Sequence, residues 1–245
     1  MGSLLLVDNS NTRTKFALAD ENGLLPWREV LLTREISEES LAKLLSSREV
    51  TAAAICSVVP EKRDILASAL SVCGPVHVVT HNSSLPVTID YPEPAQIGAD
   101  RLANAAAVFA HTGAPAIVVD FGTAVTFDVV GAGGCYLGGA IAPGLASMTQ
   151  NLARRTALLP QITLEEPASS IGKSTEEAMR VGAVIGYRGL IREILTAVAK
   201  DLGARPTVVA TGGDADLISR GLPEVEEVVP DLTLQGILEI ARRNL

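Results

Sequence analysis

The residues of this chain best suited to chemistry are two aspartates, each closing an apolar run and each followed by small or hydroxyl-bearing residues. Asp120 ends the run Ala116, Ile117, Val118 and Val119, and Phe121, Gly122 and Thr123 come next. Asp8 ends the run Leu4, Leu5, Leu6 and Val7, and Asn9, Ser10, Asn11, Thr12, Arg13, Thr14 and Lys15 follow. Thr14 stands six positions after Asp8, as Thr126 stands six after Asp120. Backbone N–H groups in such a turn can hold phosphate oxygens while the carboxylate places a cation against them. The competing reading is an Asx turn closing an ordinary hairpin. Recurrence of the unit about one domain length later points to an internal duplication, which favours phosphate handling.

Other candidates remain open on spacing alone. Asp100 and Arg101 follow Gly98 and Ala99 where a helix begins. A carboxylate there can cap the helix or meet its dipole. It can also serve as a general base beside an anion-holding arginine, as phosphoryl transfer to a hydroxyl requires. Arg101 reads equally as a carboxylate ligand or as half of a structural ion pair. Gly172-Lys173-Ser174-Thr175 resembles the end of a P-loop, but Pro167 stands where that signature needs glycine and no strand feeds it. A helix start capped by Ser174 or Thr175, with Glu177 in the first turn, accounts for it. Thr211-Gly212-Gly213 would let an adenine or ribose approach the backbone, or simply make a tight turn.

These residues need elements to hold them. The pattern predicts strands over 3–8, 13–19 and 24–33, with polar turns at 9–12 and 20–23, then a short helix from Ser37 to about Ser46. A strand at 51–59 closed by Pro60, a helix over 61–70 and a short strand at 75–80 follow. The proline-rich stretch 86–96 is excluded from helix and is expected to cross the surface. A helix then runs from Gly98 to Gly113, with Leu102, Ala105, Ala106 and Phe109 on one face. After the strands at 116–119 and 124–130 come a glycine-rich passage at 131–144, a polar helix through Arg155, a loop at 160–167, a helix over 174–200, a strand at 207–211 and a last helix over 233–243. Hairpins preceding crossover units predict an α/β fold with mixed sheets. The duplication divides the chain into domains 1–112 and 113–245.

Composition narrows the function. At 47% apolar residues the chain can build a core, yet aromatics are only 3%, too few for a stacking platform for single-stranded nucleic acid. A net charge of −8 also argues against a nucleic-acid face, and Arg154-Arg155 and Arg242-Arg243 are too small as basic clusters to reverse that. Cys56, Cys73 and Cys135 follow no metal or redox spacing, so a cytoplasmic setting is expected. No run is long enough to span a membrane, and no signal segment opens the chain. Met1-Gly2 looks like a myristoylation start, but Leu6 stands where Ser or Thr is required.

Taken together the stretches resemble type III pantothenate kinase, of the actin/hexokinase/Hsp70-like superfamily. The likeness lies in LLLVDNSNTRTK at 4–15, SVVP at 57–60, GADRLAN at 98–104, VVDFGTAVTFDVV at 118–130, GGAIAPG at 138–144, LARRTALLP at 152–160, GKST at 172–175, ATGGDA at 210–215 and LTLQGI at 232–237. The resemblance implies two related domains of the actin-like ATPase (ribonuclease H-like) fold with a cleft between them. It implies transfer of the ATP γ-phosphoryl group to the 4′-hydroxyl of pantothenate, the step that commits pantothenate to coenzyme A. By the same resemblance Asp8, Asn9, Ser10, Asn11, Thr12, Arg13, Thr14 and Lys15 form the first phosphate loop, and Thr123 contacts ATP. Asp100 is implied as the base that activates the hydroxyl. Gly98, Ala99 and Arg101 surround the substrate, with Arg101 near its carboxylate, and Tyr91 and Thr175 contact pantothenate. Asp120 is implied as the ligand of a monovalent cation, potassium or ammonium, with Mg2+ accompanying ATP. The resemblance also implies a homodimer, while composition and the lack of a long apolar run predict neither nucleic acid nor membrane as partner.

One position departs from the pattern. The family's first loop reads Asp-x-Gly-Asn, and here the third position is Ser10. Its hydroxyl can bind phosphate or its side chain can crowd it. Two rival readings follow: another sugar or acid kinase of the superfamily, and a catalytically weakened relative that regulates or binds other proteins.

Overall fold

A computed structural model describes residues 3–245; Met1 and Gly2, on which the myristoylation reading falls, lie outside the described residues. The chain clusters into two compact units. One holds the chain as far as Gly113 together with Gly134–Tyr136 and Asp231–Leu245; the other holds Ala114–Gly133 and Leu137–Pro230.

In the first unit β1 (Ser3–Asn9), β2 (Arg13–Asp20) and β3 (Gly23–Leu32) form an antiparallel meander. Helix α1 (Glu38–Leu45) starts at a capping box, in which Ser37 and Ser40 exchange side-chain and backbone hydrogen bonds. Strand β4 (Val50–Ser57) returns parallel to β1, α2 (Pro60–Leu70) opens on its proline, and β5 (Val76–Val78) lies parallel to β4. The strand order is β3-β2-β1-β4-β5. Alternation sends odd residues of β1 and β4, such as Leu5, Val7, Ala53 and Ile55, into one buried cluster, joined by Leu41 of α1 and Leu66 and Leu70 of α2. Even residues Leu6, Ala54 and Cys56 enter another.

That second cluster covers the sheet with helices. Residues 86–96 hold a short strand β6 (Thr88–Ile89) and a single 3-10 turn at Pro94–Gln96, where the proline content predicted neither. Proline is tolerated at the first position of such a turn because no partner is required for its missing N–H. Helix α3 (Ala99–Thr112) follows and packs Ala99, Ala103 and Ala106 onto the sheet.

In the second unit β7 (Ala116–Phe121) pairs antiparallel with β8 (Ala124–Gly131). The glycine-rich passage 131–144, to which the sequence assigned no element, contains β9 (Cys135–Pro143). Gly133 and Gly134, both at positive φ, turn the chain back into it, so these glycines serve a hairpin. Then come α4 (Leu145–Arg155), the long α5 (Thr175–Leu202), β10 (Thr207–Gly212) parallel to β7, the single-turn α6 (Ala215–Ser219) and β11 (Glu227–Val228) parallel to β10. The order β11-β10-β7-β8-β9 matches β5-β4-β1-β2-β3 strand for strand. The elements α6 and β11 are too short to leave a periodic signature.

The final helix α7 (Leu232–Asn244), whose sequence follows the second unit, belongs to the first. Its buried residues Leu234, Ile237, Leu238, Ile240 and Ala241 complete the cluster over β1 and β4. Gly236 makes this possible: a Cβ there would overlap the Ala103 carbonyl of α3. Among the described residues no helix is long and apolar enough to cross a membrane.

Candidate functional site

Asp8, the last residue but one of β1, is almost fully buried, 5% exposed. It shares the sheet face of Leu6, because the side-chain period is two. Lys15 sits opposite it in the β1–β2 register, and Lys15 Nζ lies 3.9 Å from Asp8 Oδ2. The Ser10 hydroxyl donates to Asp8 Oδ1 at 3.2 Å. Thr14 does not face Asp8: it pairs with Asn9. In the second hairpin Asp120 pairs with Thr126. The first turn is thus one residue longer, which flips Thr14 to the other face and gives Lys15 the place that Thr126 holds in the second copy.

The other face of the first turn is a closed polar network. Asn9 Nδ2 donates to Thr14 Oγ1 at 2.8 Å, and the Ser57 hydroxyl donates to Asn9 Oδ1 at 2.6 Å. Thr14 and Thr33 hydroxyls lie 3.0 Å apart, and Thr33 Oγ1 donates to the Ser10 carbonyl at 2.6 Å. Ser10 N–H donates to the Arg13 carbonyl and Thr33 N–H to that of Thr12. Asn9 and Thr14 are buried, while Asn11, Thr12 and Arg13 at the tip are exposed. A loop tied at its base and open at its tip is organised before any ligand arrives. Thr33 and Ser57 were not singled out from sequence; Ser57 heads the SVVP stretch, which was the available signal.

The start of α3 lies over the face that carries Asp8. Ala99 shares a buried cluster with Leu6 and Cys56, and Cys56 is the register partner of Asp8 on β4. Gly98 is the N-cap residue, and Asp100 lies in the first turn with its Oδ1 accepting the Arg101 N–H at 2.8 Å. A Cβ on Gly98 would come within 2.5 Å of Asp100 Oδ1, so glycine leaves room for that carboxylate. Arg101 lies over the buried ring of Tyr136, with Cζ 5.8 Å from the centroid. Tyr91, half-buried, follows the β6 segment whose Asp90 N–H donates to the Tyr136 carbonyl at 3.0 Å. Tyr136 therefore meets Arg101 and pairs with the segment that leads into Tyr91, and no spacing rule pointed to it.

In the second unit Asp120, Thr126, Asp128 and Thr211 share one face of the sheet, opposite the core face of Ile117, Val119, Phe127 and Ala210. Asp128 is fully buried and its Oδ2 accepts from Thr126 Oγ1 at 3.4 Å; it was missed because it looked like an interruption within a strand. Thr123 sits exposed in the two-residue turn after Phe121, and its carbonyl accepts the Gly144 N–H at 3.2 Å and the Ser147 hydroxyl at 2.9 Å. A Cβ on Gly144 would collide with the Gly122 and Thr123 carbonyls. Gly212, at φ +94, lies against the Phe121 carbonyl, where a Cβ would come within 2.5 Å. Both glycines let neighbouring backbone close on the Asp120 turn. Burial pushes the Asp214 carboxyl, just beyond Gly213, above the usual carboxylate range.

Thr175 is exposed at the first position of α5, and Ser174 is the cap, accepting the Glu177 N–H. Glu177 Oε2 in turn accepts the Lys173 N–H at 2.6 Å. Beside it lies a cavity of about 310 Å3 lined by Ser169, Ile171, Lys173, Glu177 and Arg180. The preceding loop is pinned by buried Arg188, whose Nη1 and Nη2 each lie 2.7 Å from a Glu166 oxygen; those hydrogen bonds hold the Glu166 carboxyl below its ordinary range.

Among the described residues no cluster of three or more His, Cys, Asp or Glu side chains could hold a metal ion by itself. The donors at the two turns are single carboxylates with hydroxyl and carbonyl oxygens. Each turn by itself offers a set that suits a hard cation which takes its remaining ligands from water and phosphate.

The sequence profile of the type III pantothenate kinase family matches residues 4–197. A type III pantothenate kinase of Akkermansia muciniphila is 54% identical over 241 residues, covering 98% of this chain and 99% of that protein. One from Methylacidiphilum infernorum is 42% identical over 236 residues, covering 96% and 86%. Among solved structures, the inorganic polyphosphate/ATP-glucomannokinase of Arthrobacter sp. strain KM aligns over 100% of both chains with a TM-score of 0.51 at 17% identity, a likeness of fold. The duplicated strand plan is that of the actin-like ATPase fold, and the chain belongs to the type III pantothenate kinase family.

Proposed function

We propose that this chain transfers the γ-phosphoryl group of ATP to the 4′-hydroxyl of pantothenate, the first step of coenzyme A synthesis. Family membership supports the reaction. The observation that carries the residue assignment is that Asp8 and the start of α3 share one face of the first sheet. Phosphoryl transfer asks mainly for positioning and charge neutralisation. Residues 8–15 cradle the triphosphate, with the tied turn offering backbone N–H groups and Lys15 a positive charge. Thr123 contacts ATP from the second turn. Asp100 accepts the proton of the 4′-hydroxyl as its oxygen bonds to the γ-phosphorus; the bond to the bridging oxygen breaks and ADP leaves. Arg101 meets the pantothenate carboxylate, and Gly98, Ala99, Tyr91 and Thr175 are contacts of the substrate.

Asp8 would hold Mg2+ against the phosphates, and Asp120 a monovalent cation, potassium or ammonium. These ions, when bound, offset charge on the transferring phosphoryl group. The functional form is a homodimer. Ile141, Met148, Leu152 and Ile171, all exposed and all in the second unit, supply apolar surface of the kind a second copy covers. Cys56, Cys73 and Cys135 form no disulfide with one another, in keeping with a cytoplasmic setting.

Release of ADP should be measured with ATP, Mg2+ and potassium against a panel of pantothenate, hexoses and short carboxylic acids. Turnover confined to pantothenate is expected. Turnover with a hexose or an acid in its place would overturn the substrate assignment.

A further inference from the structure

Tyr136 is fully buried in the first unit and meets two segments that carry proposed substrate residues. Its ring lies under the Arg101 guanidinium, 5.8 Å from Cζ to centroid. Its backbone pairs with β6: Ile89 is its register partner, and its carbonyl accepts the Asp90 N–H. The chain leaves that pairing at Tyr91. The strand that carries the ring is itself held close to α3, since a Cβ on Gly134 would press within 2.6 Å of the Phe109 ring. A cation over the face of an aromatic ring is drawn by the ring quadrupole, more strongly where water is excluded. Arginine has a long side chain with much rotamer freedom to lose, so a fixed ring beneath it narrows the positions its guanidinium can take.

We propose that Tyr136 is a positioning residue for substrate recognition: its ring aims Arg101 at the carboxylate of the acceptor, while its backbone anchors the segment that leads into Tyr91. The inference rests on the reading of Arg101 as the carboxylate's partner. It predicts that the ring matters only for acceptors that carry a negative charge.

The test compares pantothenate with the corresponding primary alcohol, which has the same 4′-hydroxyl and no carboxylate. Y136F keeps the ring and should leave both KM values within about 2-fold. Y136L removes it and should raise KM for pantothenate by about 3- to 30-fold, the span of cation–π strengths. KM for the alcohol and for ATP should stay within about 2-fold. Because leucine at a buried tyrosine can disturb folding, a second series keeps the volume: phenylalanine at position 136 carrying one, two and three ring fluorines. Fluorine drains the ring face, so KM for pantothenate should climb stepwise while the alcohol is unaffected. A flat fluorine series, or equal losses for both acceptors, overturns the role of Tyr136. Arg101→Ala separates this from the parent reading. If that variant still prefers pantothenate to the alcohol as strongly as the parent protein, Arg101 is not the carboxylate's partner and both ideas fall. If the preference vanishes in Arg101→Ala but the fluorine series is flat, only the Tyr136 inference falls.

Discussion

Replacing Ser10 asks how the first turn treats phosphate. The Ser10 hydroxyl donates to Asp8 Oδ1, while its backbone is held on both sides, by the Arg13 carbonyl and by Thr33 Oγ1. No non-glycine residue among those described has positive φ, so Ser10 sits without backbone strain and glycine would relieve none. Removing the hydroxyl deprives a buried carboxylate of a donor. A hydrogen bond to a charged group contributes about 1.5–3 kcal/mol. At 3.2 Å this one is longer than the usual O–H···O range, which places it near 1–1.5 kcal/mol. Such a loss corresponds to about 5- to 12-fold. Ser10→Ala should therefore lower kcat/KM for ATP by about 5- to 12-fold, with pantothenate KM unchanged. Ser10→Gly should lose somewhat more, because a freer chain costs about a further 0.4–1 kcal/mol to order. The assay is ADP release with ATP varied at saturating pantothenate. If Ser10→Gly instead lowers the KM for ATP below that of the parent protein, the serine crowds phosphate and the reasoning about Asp8 is refuted.

Three further outcomes follow from the geometry. Asp100→Asn should leave a folded protein with turnover reduced by about 10²- to 10⁴-fold, read from single-turnover rates; an unchanged rate rejects the general-base role. Activity should be higher in potassium than in sodium, and Asp120→Ala should erase that difference; equal activity of the parent protein in the two salts rejects the cation site. Gly236→Ala forces α7 away from the Ala103 carbonyl of α3, an overpacking that costs about 1–3 kcal/mol. At about 2–4 °C per kcal/mol for a chain of this size, thermal unfolding should come several degrees earlier. An unshifted midpoint would show that the two helices can part freely.

Much of this arrangement was legible because local chemistry and global fold agree. Leu4 to Val7 and Ala116 to Val119 are short apolar runs that read as buried strands, and a carboxylate ending each run marked the turns. Gly113 and the Leu102, Ala105, Ala106 and Phe109 stripe bounded α3 within a residue or two. Ser174 and Glu177 announced the start of α5, and the structure settled which residue is the cap. The strand within 131–144 was not assigned because glycine's permissive backbone leaves no strand signature, whereas Gly133 and Gly134 turn the chain into β9. Asp128 was invisible because a charged residue inside a strand departs from the apolar pattern, and only its neighbours reveal what surrounds it.

By itself the sequence determined that two strand–aspartate–turn units exist, where α3 begins, and which side chains stand within a few residues of each turn. These are matters of order along the chain, and hydrophobic period and turn chemistry are short-range. Only the tertiary structure decided that Lys15 rather than Thr14 faces Asp8, that Arg101 rests on Tyr136, and that the last helix joins the first unit. Each of those depends on strand register or on packing between segments far apart in sequence. A shift of one residue in a turn flips every side chain beyond it to the other face, and nothing local in the sequence records which face that is.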